Sequence, residues 1–160
     1  AAVDRIRAIR RIDERHLLTL MCRDLSDIGQ YAKFDDRRYR LLKNATPGPY
    51  TWILEATKEV PRRLSHPSRK TIGLRVPDHR VALGLLDVLG QPLLTTTLQL
   101  PGDELPLNEG EHIRERLDYQ IDFVLDAGTC GVQPTTIVDL TGAEAVLVRQ
   151  GKGDVSQLGL

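Results

Sequence analysis

The chain has 160 residues, 41% of them hydrophobic and 28% charged, with 22 Lys/Arg balancing 22 Asp/Glu. That is the size and composition of one globular domain, with a core of Leu, Ile, Val and Ala because aromatics supply only 4%. No apolar run approaches the roughly 20 residues of a membrane helix, and no signal-peptide or lipidation pattern opens the sequence, so the expected compartment is the cytoplasm and no membrane partner is expected. Cys22 and Cys130 form no CxxC pair, and His16, His66, His79 and His112 are scattered. No metal site is therefore expected, and both cysteines read as buried free thiols. The zero net charge hides a split: residues 1–75 carry 17 Lys/Arg against 9 Asp/Glu, and residues 76–160 carry 5 against 13. Such asymmetry fits either a face that meets an anion or two halves that neutralise each other.

In chain order, Ala1–Ile12 reads as a helix with Val3, Ile6 and Ile9 on one face and arginines on the other. It starts mid-pattern and uncapped, which suggests a truncated N-terminus. Leu17–Cys22 suits a buried strand, and Asp24 or Ser26 can cap a short helix running to Tyr31. Asp35–Ala45 is a second helix, stopped by Pro47 and Gly48, and Tyr50–Ala56 a strand. Pro61 and Pro67 make Glu59–Arg69 a loop. In strand Thr71–Val76, Ile72, Leu74 and Val76 face one way and Thr71, Gly73 and Arg75 the other. A helix over His79–Leu89, stopped by Gly90, leads to a strand Leu93–Leu98 with Thr95 and Thr97 on one side. Glu109–Gln120 is an amphipathic helix, Ile121–Leu125 a strand and Ala127–Pro134 a Gly-rich loop. Strands Thr135–Leu140 and Ala145–Gln150 close a single domain of mixed α/β order.

Several of these strands place hydroxyls and arginines where an apolar face would be usual: Thr71, Arg75, Thr95, Thr97, Thr135 and Arg149. If the strands are neighbours, these groups line a cavity suited to phosphate and carboxylate oxygens. Gly73 would let a ligand approach the backbone. The plainer reading is that threonine is a good strand residue on a half-exposed face. Arg75 resists that reading, because an arginine inside a strand meets either a structural carboxylate or an anionic ligand. Arg62, Arg63 and Lys70 make the loop before that strand basic, which fits either a track for RNA phosphates or a plain solvated loop. No P-loop, dinucleotide fingerprint or nucleophile elbow appears, so no catalytic side chain is assigned.

Taken together, TPGPYTWIL (46–54), KTIGLRVPDH (70–79), LGQPLLTTTLQLPG (89–102), PTTIVDL (134–140) and VLVRQGKGD (146–154) resemble the ordered sequence blocks of the YrdC-like family. TLMCRDLS (19–26) and TKEVPRRL (57–64) are similar to phrases of its YciO branch. The resemblance implies a twisted, open α/β sheet with a positively charged cavity. It also implies threonylcarbamoyl-AMP synthase chemistry: L-threonine and bicarbonate form a carbamate that attacks the α-phosphate of Mg²⁺-bound ATP and releases pyrophosphate, in the service of tRNA modification. The alternative it carries is a non-catalytic protein that binds nucleotide and tRNA or double-stranded RNA.

By this resemblance Arg75 holds the threonine carboxylate, with Thr135 and Thr95 beside the amino acid. Arg10, His16, Thr71, Thr97 and Arg149 contact ATP, and no tightly bound cofactor is expected. The family's Lys-x-Arg falls on Arg10-Arg11-Ile12, which loses the second cation. Its Ser-x-Asn falls on Thr97-Leu98-Gln99, and its N-terminal segment with the first strand has no counterpart. Reduced activity is the expectation.

Overall fold

The computed structural model describes residues 1–160. The elements are α1 (Ala2–Arg10), β1 (Thr19–Met21), α2 (Leu25–Tyr31), β2 (Ala32–Lys33), α3 (Asp36–Ala45), β3 (Tyr50–Ala56), β4 (Thr71–Arg75), α4 (Arg80–Leu89), β5 (Leu93–Thr95), α5 (Gly110–Leu117), β6 (Thr136–Asp139) and β7 (Val146–Arg149), with a closing 3₁₀ turn at Val155–Leu158. Two compact units emerge: Ala1–His16 with Thr97–Gln133, and Leu17–Thr96 with Pro134–Leu160.

Local chemistry sets the helix ends of the second unit. Asp24, of the two residues able to cap α2, does so: its Oδ1 accepts from the Asp27 amide at 3.0 Å. Asp35 accepts likewise from the Arg38 amide at 2.9 Å. His79 Nδ1 caps α4, and Gly90, at φ 65°, ends it in the left-handed region that glycine enters freely.

All seven strands belong to the second unit and form one open mixed sheet, ordered β5-β1-β4-β3-β6-β7, with β2 paired to β3. β4 runs parallel to β1 and antiparallel to β3, while β6 runs parallel to β3. Alternation along the strands then divides the side chains into two faces. On one face, Leu20, Leu74, Trp52 and Val138 fall in register and are buried with Ile28, Leu42, Leu54 and Ile72 in a single cluster. Trp52 is fully buried and stacks on Tyr50 with ring centroids 5.3 Å apart. Burying each such large apolar side chain contributes about 1.5–3 kcal/mol, and this face anchors the sheet.

β5 stops at Thr95, short of the strand expected through Leu98. It has only the three residues of β1 to pair with. Beyond it the Leu98 carbonyl accepts instead from the Leu107 amide at 2.8 Å. The strand expected over Ile121–Leu125 does not form either. Phe123 and Leu125 are exposed, so the apolar alternation there has no core to face. Of the two cysteines, Cys22 is buried and Cys130 exposed, which corrects the expectation that both are buried. No helix is long and apolar enough to cross a membrane.

Candidate functional site

The second face of the sheet carries the chemistry. One row across it reads Leu93, Met21, Arg75, because each pairs with the next in register. Thr51 extends it, since Trp52 pairs with Leu74 and the antiparallel register sets Thr51 opposite Arg75. Ile137 and Arg149 complete it on β6 and β7. The next row holds Thr95, Thr19, Gly73 and Ile53. Arg75, Thr95 and Arg149 therefore share one face, because their strands lie in one sheet in this register.

Arg75 stands in the middle of that face, half-buried. Its Nη2 donates to the Met21 thioether sulfur at 3.4 Å, and no carboxylate reaches it. A thioether is a weak, uncharged acceptor. Burial pulls the guanidinium pKa below its ordinary value, which is the mark of a cation stripped of water without a counter-charge. The two partners allowed for a strand arginine were a structural carboxylate and an anionic ligand. The first is absent.

Thr51 lies beside Arg75 and is 7% exposed. Its hydroxyl meets that of Thr135 at 2.8 Å, so Thr51 links the arginine to the hydroxyl expected at the amino acid. On the other side, the Thr95 hydroxyl donates to the Thr19 carbonyl at 3.0 Å. Gly73 is buried, and a Cβ there would stand 3.4 Å from Thr19 Oγ1 and 3.5 Å from Thr51 Cγ2. Both are ordinary van der Waals distances, so a small side chain at this position would meet the two threonines without a clash.

Arg149 is exposed, and its Nε and Nη2 donate to the Thr135 carbonyl at 3.2 and 2.9 Å. Thr71 lies at the far end of β4, buried opposite Glu55, with its carbonyl accepting from the His66 amide at 2.8 Å. Arg62 and Lys70 line one cleft in the loop between β3 and β4, whereas Arg63 is in that loop but not in its lining.

The first unit brings the two altered motifs together. Arg10 Nε donates to the Gln99 carbonyl at 3.0 Å, and Arg10 Nη1 lies 3.5 Å from His16 Nε2. Burial, and then repulsion from Arg10, hold the His16 pKa below the usual imidazole value. The longer amide of Gln99 is engaged within its own loop, donating to the Asp103 and Glu104 carbonyls at 3.0 and 3.2 Å. Thr97 is exposed, and its carbonyl accepts from the Gln99 amide.

Sequence reasoning missed Met21, Thr19 and Thr51. Both threonines sit at alternate positions of strands that were expected, so the signal was there. LLTLMC looked like a uniformly apolar run, however, and Thr51 looked like one more β-former beside Trp52.

The Sua5–YciO–YrdC family model, described as telomere recombination, matches residues 1–151. The crystal structure of Escherichia coli YciO superposes with a TM-score of 0.93 at 49% identity, covering 98% of this chain and 76% of that one. A threonylcarbamoyl-AMP synthase of Idiomarina loihiensis is 30% identical over 143 residues, which are 86% of this chain and 75% of the synthase. Pyrococcus abyssi Sua5 complexed with L-threonine shares the fold, with a TM-score of 0.88 at 24% identity, covering 98% of this chain and 46% of that one.

Proposed function

We propose, from the premise that this chain belongs to the Sua5, YciO and YrdC family, that it binds L-threonine at Arg75 and uses ATP and bicarbonate to make threonylcarbamoyl-AMP. The observation that carries the reading is Arg75 itself: a half-buried guanidinium with a thioether for a neighbour and no carboxylate. A planar fork in that state is matched by a carboxylate ligand, which restores the charge balance and accepts two parallel hydrogen bonds. Thr135, tied to Thr51, and Thr95 then supply hydroxyl groups on the same face for the rest of the amino acid.

For the nucleotide we propose Thr71 and Arg149 in the second unit and, by the resemblance alone, Arg10, His16 and Thr97 in the first, each unit taken by itself. Mg²⁺ carried by the ATP would supply charge neutralisation at the phosphates. Arg149 is the second unit's own cation for that task. With Ile12 in place of a second cation, turnover is expected to be slow.

The test is to incubate the protein with L-threonine, bicarbonate, ATP and Mg²⁺ and to measure pyrophosphate. Release that depends on threonine and disappears in Arg75→Gln supports the reading. Pyrophosphate release no higher with threonine than without it sinks the synthase assignment. Calorimetric titration with L-threonine separately tests whether the amino acid binds at all.

A further inference from the structure

β3 and β4 are joined by residues 57–70, which carry Lys58, Arg62, Arg63, Arg69 and Lys70 against the one carboxylate of Glu59. Like charges so close in sequence would spread a free loop into solvent. This loop is instead folded on itself. Val60 is buried in the core, and Pro61 and Pro67 each fix a backbone angle. The Leu64 amide donates to the Pro61 carbonyl at 2.8 Å and the Lys70 amide to the His66 carbonyl at 3.1 Å. His66 Nδ1 accepts from the Ser68 and Arg69 amides at 3.3 and 3.2 Å. Lys70 is held at φ 53°, a left-handed conformation that a lysine keeps only where its surroundings impose it.

The fold of this loop leaves a cleft of about 550 Å³ whose lining includes Lys58, Arg62 and Lys70 and no Asp or Glu. None of those three side chains forms an ion pair or a hydrogen bond within the chain. Glu55 is attracted to Lys70 electrostatically, but its carboxylate is engaged by Lys33 at 2.6 Å. The cleft is also remote from Arg75, since Lys70 precedes β4 and Arg75 ends it, with about 13 Å of extended strand from Thr71 to Arg75 between them.

The geometry points to a second anion site here, which accepts consecutive phosphate groups. Three unpaired cations around one preorganised cleft exceed what a single carboxylate needs and match an oligophosphate. The lining has no aromatic residue on which a base could stack, so phosphates are recognised and sequence is not. The phosphates come either from a nucleic-acid backbone or from a free polyphosphate.

The test uses ¹⁵N-labelled full chain, titrated separately with sodium tripolyphosphate and with a short RNA duplex at several NaCl concentrations. The expected result is amide shifts centred on residues 57–70 and binding at least tenfold weaker in Lys58→Gln/Arg62→Gln/Lys70→Gln. Binding in Arg75→Gln should match wild type, which keeps this site's failure separable from that of the amino-acid site. In the RNA arm the salt dependence of log K should shrink by about two to three in slope in the triple variant. Tripolyphosphate binding alone assigns the free anion, and RNA binding alone assigns the backbone. The proposal is overturned if neither ligand moves those amides, or if the triple variant, or the single variant Arg62→Gln should the triple fail to fold, binds both as wild type does.

Discussion

The Arg75 guanidinium donates to the Met21 sulfur at 3.4 Å, and that thioether is its one hydrogen-bond partner. A buried charge with so weak a neighbour opposes folding, because desolvation is not offset by attraction. Arg75→Gln should therefore leave the melting temperature unchanged or raise it, while L-threonine affinity falls at least tenfold, the loss expected for a charged hydrogen bond of about 1.5–3 kcal/mol. Calorimetry and titration check the two halves together. A melting temperature several degrees lower would mean that Arg75 is structural.

Met21 can be tested in the opposite sense. Met21→Leu conserves volume and removes only the weak acceptor, so it should cost less than about 1.5 kcal/mol and leave binding near wild type. Met21→Glu supplies the counter-charge that the site lacks. It should abolish threonine binding by occupying Arg75, and raising the salt concentration should not restore it, since a buried pair is poorly screened. Retained binding in Met21→Glu would argue against a carboxylate ligand at Arg75.

Thr51 and Thr135 share a hydroxyl contact of 2.8 Å between β3 and β6. Thr51→Val keeps the shape and removes the bond, so it should cost about 1 kcal/mol of stability by denaturant unfolding. Thr51→Ser should recover most of that. If the Thr135 hydroxyl touches the amino acid, Thr51→Val should also raise the threonine dissociation constant, and Thr51→Ser should restore it.

These residues show where the sequence spoke and where it fell silent. Thr71–Arg75 was legible as a strand with two faces because its alternation is strict, and its neighbours then fixed which face was polar. Nothing local marked the row Met21–Arg75–Thr51, since three separate strands must pair in one register to make it. The strand expected to continue through Thr97 stopped at Thr95 for a related reason. A run of three threonines has high β-propensity, but propensity cannot supply a partner strand, and β1 ends after three residues.

The Cys22 thiol is pushed up to about 12 from 9.0, by burial first and then by Asp27 and Asp24. The folded state thus keeps its proton while the unfolded state loses it above about pH 9. Stability should fall as pH rises from 9 toward 12, and Cys22→Ala should flatten that slope. In native protein at pH 8 a thiol reagent should label Cys130 alone, with Cys22 reacting only on unfolding. Prompt labelling of both would contradict the burial of Cys22.

Two glycines near the C-terminus separate stability from binding. A Cβ at Gly151 would stand 2.3 Å from the Pro134 carbonyl oxygen and 2.5 Å from the Thr135 carbonyl carbon and oxygen, all of them backbone atoms that cannot swing aside. The Thr135 carbonyl is also the anchor of Arg149. Gly151→Ala must therefore displace Thr135, its hydroxyl contact with Thr51 and the arginine it holds. At Gly153 a Cβ would press instead on the Tyr50 ring, 2.3 Å away on the core face. Both substitutions should destabilise by about 1–3 kcal/mol through overpacking. Only Gly151→Ala should also weaken threonine binding, measured well below the lower of the two melting temperatures. Equal affinities in the two variants would remove Thr135 from the amino-acid site and leave Arg75 to hold the ligand without it.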